Sequence, residues 1–268
     1  MLTNRLGILG AIVILPAFAQ VSSAPAKTDA AQQISPRFHA PMHGRLESGD
    51  GTTTSTNWSG YAVTGTSFTE AAGSWIVPAV TCNSGDQYAV FWVGIDGYAS
   101  STVEQTGTEA TCVGTTAQYS AWYEFCCSEP IITIPSITVT PGDLMRANVT
   151  YNSGTGEFTV TIKDVTNGES YSTSKAVPNA QRSSAEWIAE APSSFIILPL
   201  ADYGTVLFGR DPTTLPDTNR ASDSTTSGFI GVFSTIEQIT MEKKGVMESI
   251  PSGLSIDGTS FSVTWAAQ

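Results

Sequence analysis

The residues able to do chemistry are unevenly spread along this chain of 268 residues. Both histidines, His39 and His43, lie within the first 50 positions. If the working protein begins near residue 50, Ser-His-Asp and Cys-His mechanisms have no base. A histidine-held metal then has no ligands either. No G-x-S-x-G, P-loop, Asp-Thr-Gly or Asp-Ser-Gly segment is present. What remains is carboxyl chemistry assisted by amides and hydroxyls. Such chemistry suits acid, because a carboxyl group exchanges protons near its own pKa of about 4. No histidine-held metal is expected.

Those groups need elements to position them, and the pattern supplies strands. Period-two alternation recurs in Gln87–Asp96, Ala117–Phe125, Met145–Tyr151, Glu157–Val165, Ser184–Glu190, Tyr203–Arg210, Ser227–Phe233 and Ser260–Trp265. Asn152–Gly156 and Asn167-Gly168 read as hairpin turns between runs. No stretch combines helical periodicity with caps at both ends, and there is neither a fixed repeat nor βα alternation. The expectation is an all-β antiparallel sandwich, one domain over residues 54–268. Alternation also assigns faces. Trp92, Gly94 and Asp96 share one, Trp122 and Glu124 another, and Glu186, Ile188 and Glu190 a third. Charges in alternation usually mark a solvated face. Large tryptophans beside them point instead to a substrate cleft.

Residues 1–24 read as a secretory signal peptide: Arg5, an apolar run from Leu6 to Ala19, then Ser22-Ser23-Ala24. The run falls short of the roughly 18 or more apolar residues of a membrane anchor. Residues 25–53 have little periodic hydrophobicity and hold both histidines. They are expected to be a propeptide that gains charge as pH falls. A secreted, extracellular protein without membrane association after signal removal follows. Net charge is −12, which disfavours nucleic acid as a partner because phosphate binding needs a basic surface. Export makes disulfides the expected state of Cys82, Cys112, Cys126 and Cys127. Of the three pairings Cys82–Cys112 is preferred, and adjacent Cys126 and Cys127 make a poor bridge to each other. Asn57-Trp-Ser59 and Asn148-Val-Thr150 are candidate glycosylation acceptors.

Five segments in order resemble those of a known family. Trp92-Val-Gly-Ile-Asp-Gly97, Glu104-Gln-Thr-Gly107, Trp122-Tyr-Glu124 and Ser184-Ala-Glu-Trp-Ile188 follow an opening Asn57-Trp-Ser-Gly-Tyr61. They look like the motifs of the glutamic peptidases, the eqolisins of peptidase family G1. The resemblance runs from about Asn57 to Arg210. It implies a secreted endopeptidase active in acid, made with a propeptide and working without metal or organic cofactor. The implied fold is a β-sandwich of two long curved sheets, a concanavalin-like jelly roll.

By the same resemblance the catalytic pair falls on Gln105 and Glu186, with Trp92, Asp96, Trp122 and Glu124 lining or supporting the cleft. Ionised Glu186 would take a proton from the attacking water, and Gln105 would hold that water and donate to the oxyanion. Here Cys126-Cys127 follow Glu124 where the family has an aromatic residue, and Glu104 stands where an apolar residue is commoner. The expected partners are a protein or peptide substrate and the chain's own propeptide, and the expected state is a monomer. The rival reading is a secreted glycan-binding module, or a glycoside hydrolase using two carboxylates such as Asp96 and Glu186.

Overall fold

The computed structural model of the chain describes residues 38–44, 46–47, 50–126, 129–209 and 219–267. The signal-peptide reading, the first part of the propeptide reading and Cys127 lie outside the described residues. None of the helices among them is long and apolar enough to cross a membrane.

Strands rich in Val, Ile, Thr and aromatic residues suit a pleated surface packed on its neighbours. Five of them lie side by side and antiparallel: Thr116–Cys126, Val103–Val113, Gln87–Ile95, Ser184–Glu190 and Trp58–Thr64. Ile236–Lys243 extends this layer. The sheet continues through Val246–Pro251, Phe261–Trp265 and Thr205–Phe208. It returns as a second layer of Glu70–Ile76, Leu144–Asn152, Glu157–Asp164 and Ser170–Ala176. Gln238–Met241 pairs in parallel with Thr52–Ser55. The main core fills the space between the layers. Phe91, Val93 and Ile95 come from the first, and Trp75, Val149, Phe158 and Ile162 from the second. This is the all-β sandwich the alternation predicts.

The Cys82–Cys112 disulfide, with Cα atoms 5.4 Å apart, ties the approach to the Gln87–Ile95 strand onto its neighbour. Several boundaries differ from expectation. Ser227–Phe229 is a strand, but Ile230–Val232 turns into a 3₁₀ helix. The run from Tyr203 is paired only over Thr205–Phe208. Ser170–Ala176, which follows the Asn167-Gly168 turn, is a strand that alternation did not reveal, because Ser, Thr, Tyr and Lys fill it up to Ala176. Asn57 is fully buried, with its amide engaged by Pro41 and His43, so the folded chain offers no glycosylation acceptor there.

Candidate active site

Residues paired directly across a sheet point to the same face, so the register sorts side chains into rows. One row reads Glu124, Gln105, Gly94, Glu186 and Ala62 across five adjacent strands. The next reads Trp122, Gly107, Trp92, Ile188 and Gly60. The third carries Ser120, Glu109, Val90, Glu190 and Trp58. These rows lie on the face turned away from the main core. Their apolar members, among them Trp58, Trp92, Trp122 and Ile188, form a second apolar cluster.

Gln105 and Glu186 thus share a face and stand two strands apart, a backbone separation of about 10 Å. The residue between them has no side chain. A Cβ on Gly94 would lie 3.2 Å from the Gln105 Cβ and 2.9 Å from the Trp92 ring. One row further, a Cβ on Gly107 would lie 2.2 Å from the Phe91 carbonyl oxygen and 2.7 Å from the Trp92 Cβ, so only glycine fits beside Trp92 there. Gly94 therefore leaves open the space between the polar pair, and Gly107 makes room for Trp92 beside it.

Gln105 is held in one orientation. Its Nε2 donates to Glu124 Oε2 at 3.1 Å and to the His39 carbonyl oxygen at 2.7 Å. Both acceptors lie on the nitrogen side, which sets the amide and leaves Oε1 as the free acceptor. Gln105 Oε1 and both Glu186 carboxyl oxygens are buried without a hydrogen bond of good geometry among the described residues, although the Ser184 hydroxyl and the Tyr98 backbone N–H approach Glu186. Buried polar atoms are rarely left so, and a water within about 2.8 Å of each would satisfy them.

The carboxyl groups here are driven toward their neutral forms. Burial pushes Glu186 well above the usual carboxylate range, and the Asp96 and Glu104 charges add to it. The Ser184 hydroxyl and the Tyr98 backbone act in the opposite sense. Burial likewise raises Glu124, against the lowering effect of the His39 N–H and Gln105. Glu190 is raised by burial and by the Glu124 charge, while its Oε2 accepts a hydrogen bond from Trp92 Nε1 at 2.8 Å. Glu104 sits on the opposite face, paired with Ile95 and Phe125, and is also raised by burial.

The register brings Gln105, Glu186, Trp92, Trp122 and Glu124 onto one face, and all five are fully buried. Asp96 is buried as well, but its oxygens accept from the N–H groups of Gln181, Arg182 and Ser183 and from the Ser183 hydroxyl. Its place is to staple the segment leading into the Glu186 strand. Sequence reasoning missed Glu190 as the anchor of Trp92, although alternation already set it on the Glu186 face. It also missed His39, which lies over the site with its ring 3.7 Å from that of Trp122.

Solved structures with this arrangement of strands exist. Scytalidoglutamic peptidase bound to a transition-state analogue inhibitor superposes with a TM-score of 0.64 at 21% identity, over 79% of this chain and 98% of that one. SCP-B, a member of the eqolisin family of peptidases, gives 0.61 at 22% identity, over 79% and 98%. Aspergilloglutamic peptidase from Aspergillus niger gives 0.56 at 24% identity, over 67% and 99%. At such identities the likeness is one of fold. No curated protein sequence matches the chain. The model of the Peptidase A4 family matches residues 56–250, a stretch that takes in every row of the site. The chain belongs to the Peptidase A4 family and is a peptidase with the glutamic-peptidase fold.

Proposed function

We propose that this protein is a secreted endopeptidase active in acid, using Gln105 and Glu186 as its catalytic pair. Residues 1–24 serve as the signal peptide and residues 25–53 as the propeptide. The observation that carries the reading is the row in which Gln105 and Glu186, both fully buried, flank the bare Gly94.

In this mechanism the Glu186 carboxylate takes a proton from the bound water, and the resulting hydroxide adds to the scissile carbonyl carbon. Gln105 Nε2 donates to the oxygen that becomes negative. Protonated Glu186 then passes its proton to the amide nitrogen as the C–N bond breaks, leaving a carboxylic acid and an amine. Glu124 holds the amide of Gln105, and an amide does not titrate, so the oxyanion donor persists in acid. Glu186 must be ionised for the first step, so the raised pKa in the closed cleft has to fall when solvent and substrate enter. The glycosidase alternative is weaker because the Asp96 oxygens are taken up by the 181–183 segment.

The test is digestion of casein or haemoglobin across pH 2–7, with pepstatin present, by wild type, Gln105→Ala and Glu186→Gln. Loss of one oxyanion donor should slow turnover by about 10²–10³-fold, and loss of the acid–base group by at least as much. Retained proteolysis in Glu186→Gln would end the proposal.

A further inference from the structure

Lysine and arginine are scarce, 12 in 268 residues, yet Arg146, Lys163 and Arg220 line one groove of about 440 Å³ on the second layer. The register explains how they meet. Lys163 lies directly opposite Arg146 in the neighbouring strand. The adjacent row of the same face reads Thr161, Asn148, Ala72, Arg220 and Phe229. Residues of the other parity, Ala147, Val149, Val160 and Ile162, belong to the main core. The groove and the Gln105–Glu186 row therefore lie on opposite sides of the sandwich. Glu70 is the carboxylate at its rim. Its Oε2 is 3.8 Å from Arg220 Nε and accepts from the Ser222 hydroxyl at 3.3 Å, and its Oε1 accepts from Asn148 Nδ2 at 3.5 Å. Glu70 pairs with Thr150, two rows away from Arg146 and Lys163, so it answers Arg220 rather than that pair. Two cations directly opposed across an antiparallel pair repel each other. An oxyanion set between them turns that cost into charge-assisted hydrogen bonds.

The lining selects among anions. An inorganic anion would engage the cations and leave Phe229 and Ala72 unused. A ligand joining an oxyanion to an apolar group uses both. The guanidinium forks match a carboxylate, Phe229 offers an aromatic wall, and the Ala72 methyl leaves a low floor between Asn148 and Arg220. A peptidase makes such a group at every cut, because hydrolysis leaves a new α-carboxylate beside the last side chain of the product. The α-carboxyl is also more acidic than Asp or Glu, with a pKa of about 3.5, so it stays an anion in a medium that neutralises them. We propose that this groove binds the carboxylate end of a peptide, with an apolar or aromatic last side chain against Phe229. It is a second peptide site, and its occupation leaves the catalytic cleft open. The site requires that the chain be a peptidase, and does not depend on which residues form the catalytic pair.

The experiment titrates the full-length protein calorimetrically with N-acetyl-L-phenylalanine at about pH 5, where its carboxyl group is ionised. Comparison ligands are N-acetyl-L-phenylalaninamide, which lacks the carboxylate, and inorganic phosphate. A Kd of about 0.5 mM is expected for a ligand of this size, with the amide and phosphate each at least about tenfold weaker. The double variant Lys163→Gln/Arg220→Gln should weaken binding by about tenfold or more. Ala72→Leu, which keeps every charge and fills the floor, should weaken it by about as much. Lys243→Gln/Lys244→Gln makes the same change in net charge on another hairpin and should leave Kd unchanged. N-acetyl-L-phenylalanine at saturating concentration should leave the KM of a peptide substrate unchanged. Binding that survives Lys163→Gln/Arg220→Gln, or that raises KM, would put the ligand elsewhere and overturn the proposal. Phosphate or the amide binding as tightly as the acid, or no measurable binding at all, would overturn it too. Glu186→Gln should bind the ligand as wild type does. Proteolysis retained by that variant would end the catalytic-pair reading and leave the groove standing.

Discussion

The strands Ser184–Glu190 and Glu157–Asp164 have similar length and opposite economies. In Glu157–Asp164 burial alternates: Phe158, Val160 and Ile162 enter the core while Thr159, Thr161 and Lys163 face outward. In Ser184–Glu190 every residue is buried. One face, Ala185, Trp187 and Ala189, joins the main core. The other carries Glu186, Ile188 and Glu190 into a second enclosed layer. A strand with one wet face needs only apolar residues at every second position. A strand buried on both faces that still keeps carboxyl groups is less stable than it could be, because burying a charge costs several kcal/mol unless the group is neutralised or paired. The raised pKa values of Glu124, Glu186 and Glu190 are the signature of that cost. Where a protein tolerates it, chemistry is the usual reason.

Substitutions on the two strands should therefore separate function from stability. The largest effect is expected for Glu186→Gln, about 10³-fold or more in kcat, with little change in the urea midpoint because a buried neutral acid becomes a buried amide. Phe158→Ala should do the reverse. It costs about 3–5 kcal/mol of stability in denaturant titrations and leaves kcat per folded molecule unchanged. Equal loss of kcat in both would erase the distinction. Gly94→Ala lies between, since its Cβ would press on Trp92 and Gln105. It should lower kcat by about 10–100-fold through misplacement of the amide and cost about 1–3 kcal/mol.

The pH dependence of stability gives a finer test. The buried acids have folded-state pKa values raised above the unfolded carboxyl value of about 4.3. The folded state thus keeps protons that the unfolded state releases, and stability declines as pH rises above that value. Each such acid contributes up to about 1.4 kcal/mol per pH unit, so unfolding should be hardest near pH 4. Glu190→Gln should shallow the slope measured by thermal unfolding from pH 4 to 7. A flat profile in the wild type would mean that the carboxyl groups are ionised in the fold. The smallest effect belongs to the wet face: Thr161→Ala, which removes the 2.9 Å contact with Ser172, should shift stability by no more than about 0.5 kcal/mol.

How much could be read beforehand depended on the same contrast. Leu144–Asn152 and Glu157–Asp164 announced themselves through alternation and the Asn152–Gly156 turn. Val103–Val113, the strand that carries Gln105, showed no apolar period, since Glu, Gln, Thr and Gly fill both of its faces until Ala110. It is nonetheless buried almost throughout, because it is enclosed between strands and covered on each side. Gln105 and Glu186 were reached only through the ordered motifs. Asp96 was placed beside the cleft by the same motifs, but its oxygens are committed to the 181–183 backbone. The burial of His39 had no local signal at all.

Composition and alternation determined that the chain would be all-β, that its layers would enclose an apolar core, and that carboxyl and amide groups would have to do any chemistry. Those are local or additive properties, set by side-chain volume, charge and a period of two. Only the tertiary structure decided that Gln105, Gly94 and Glu186 fall in one row, and that Phe38–Gly44 lies against Gln105 and Glu124. Register between strands far apart in sequence follows from how whole layers pack, and no single segment carries that information.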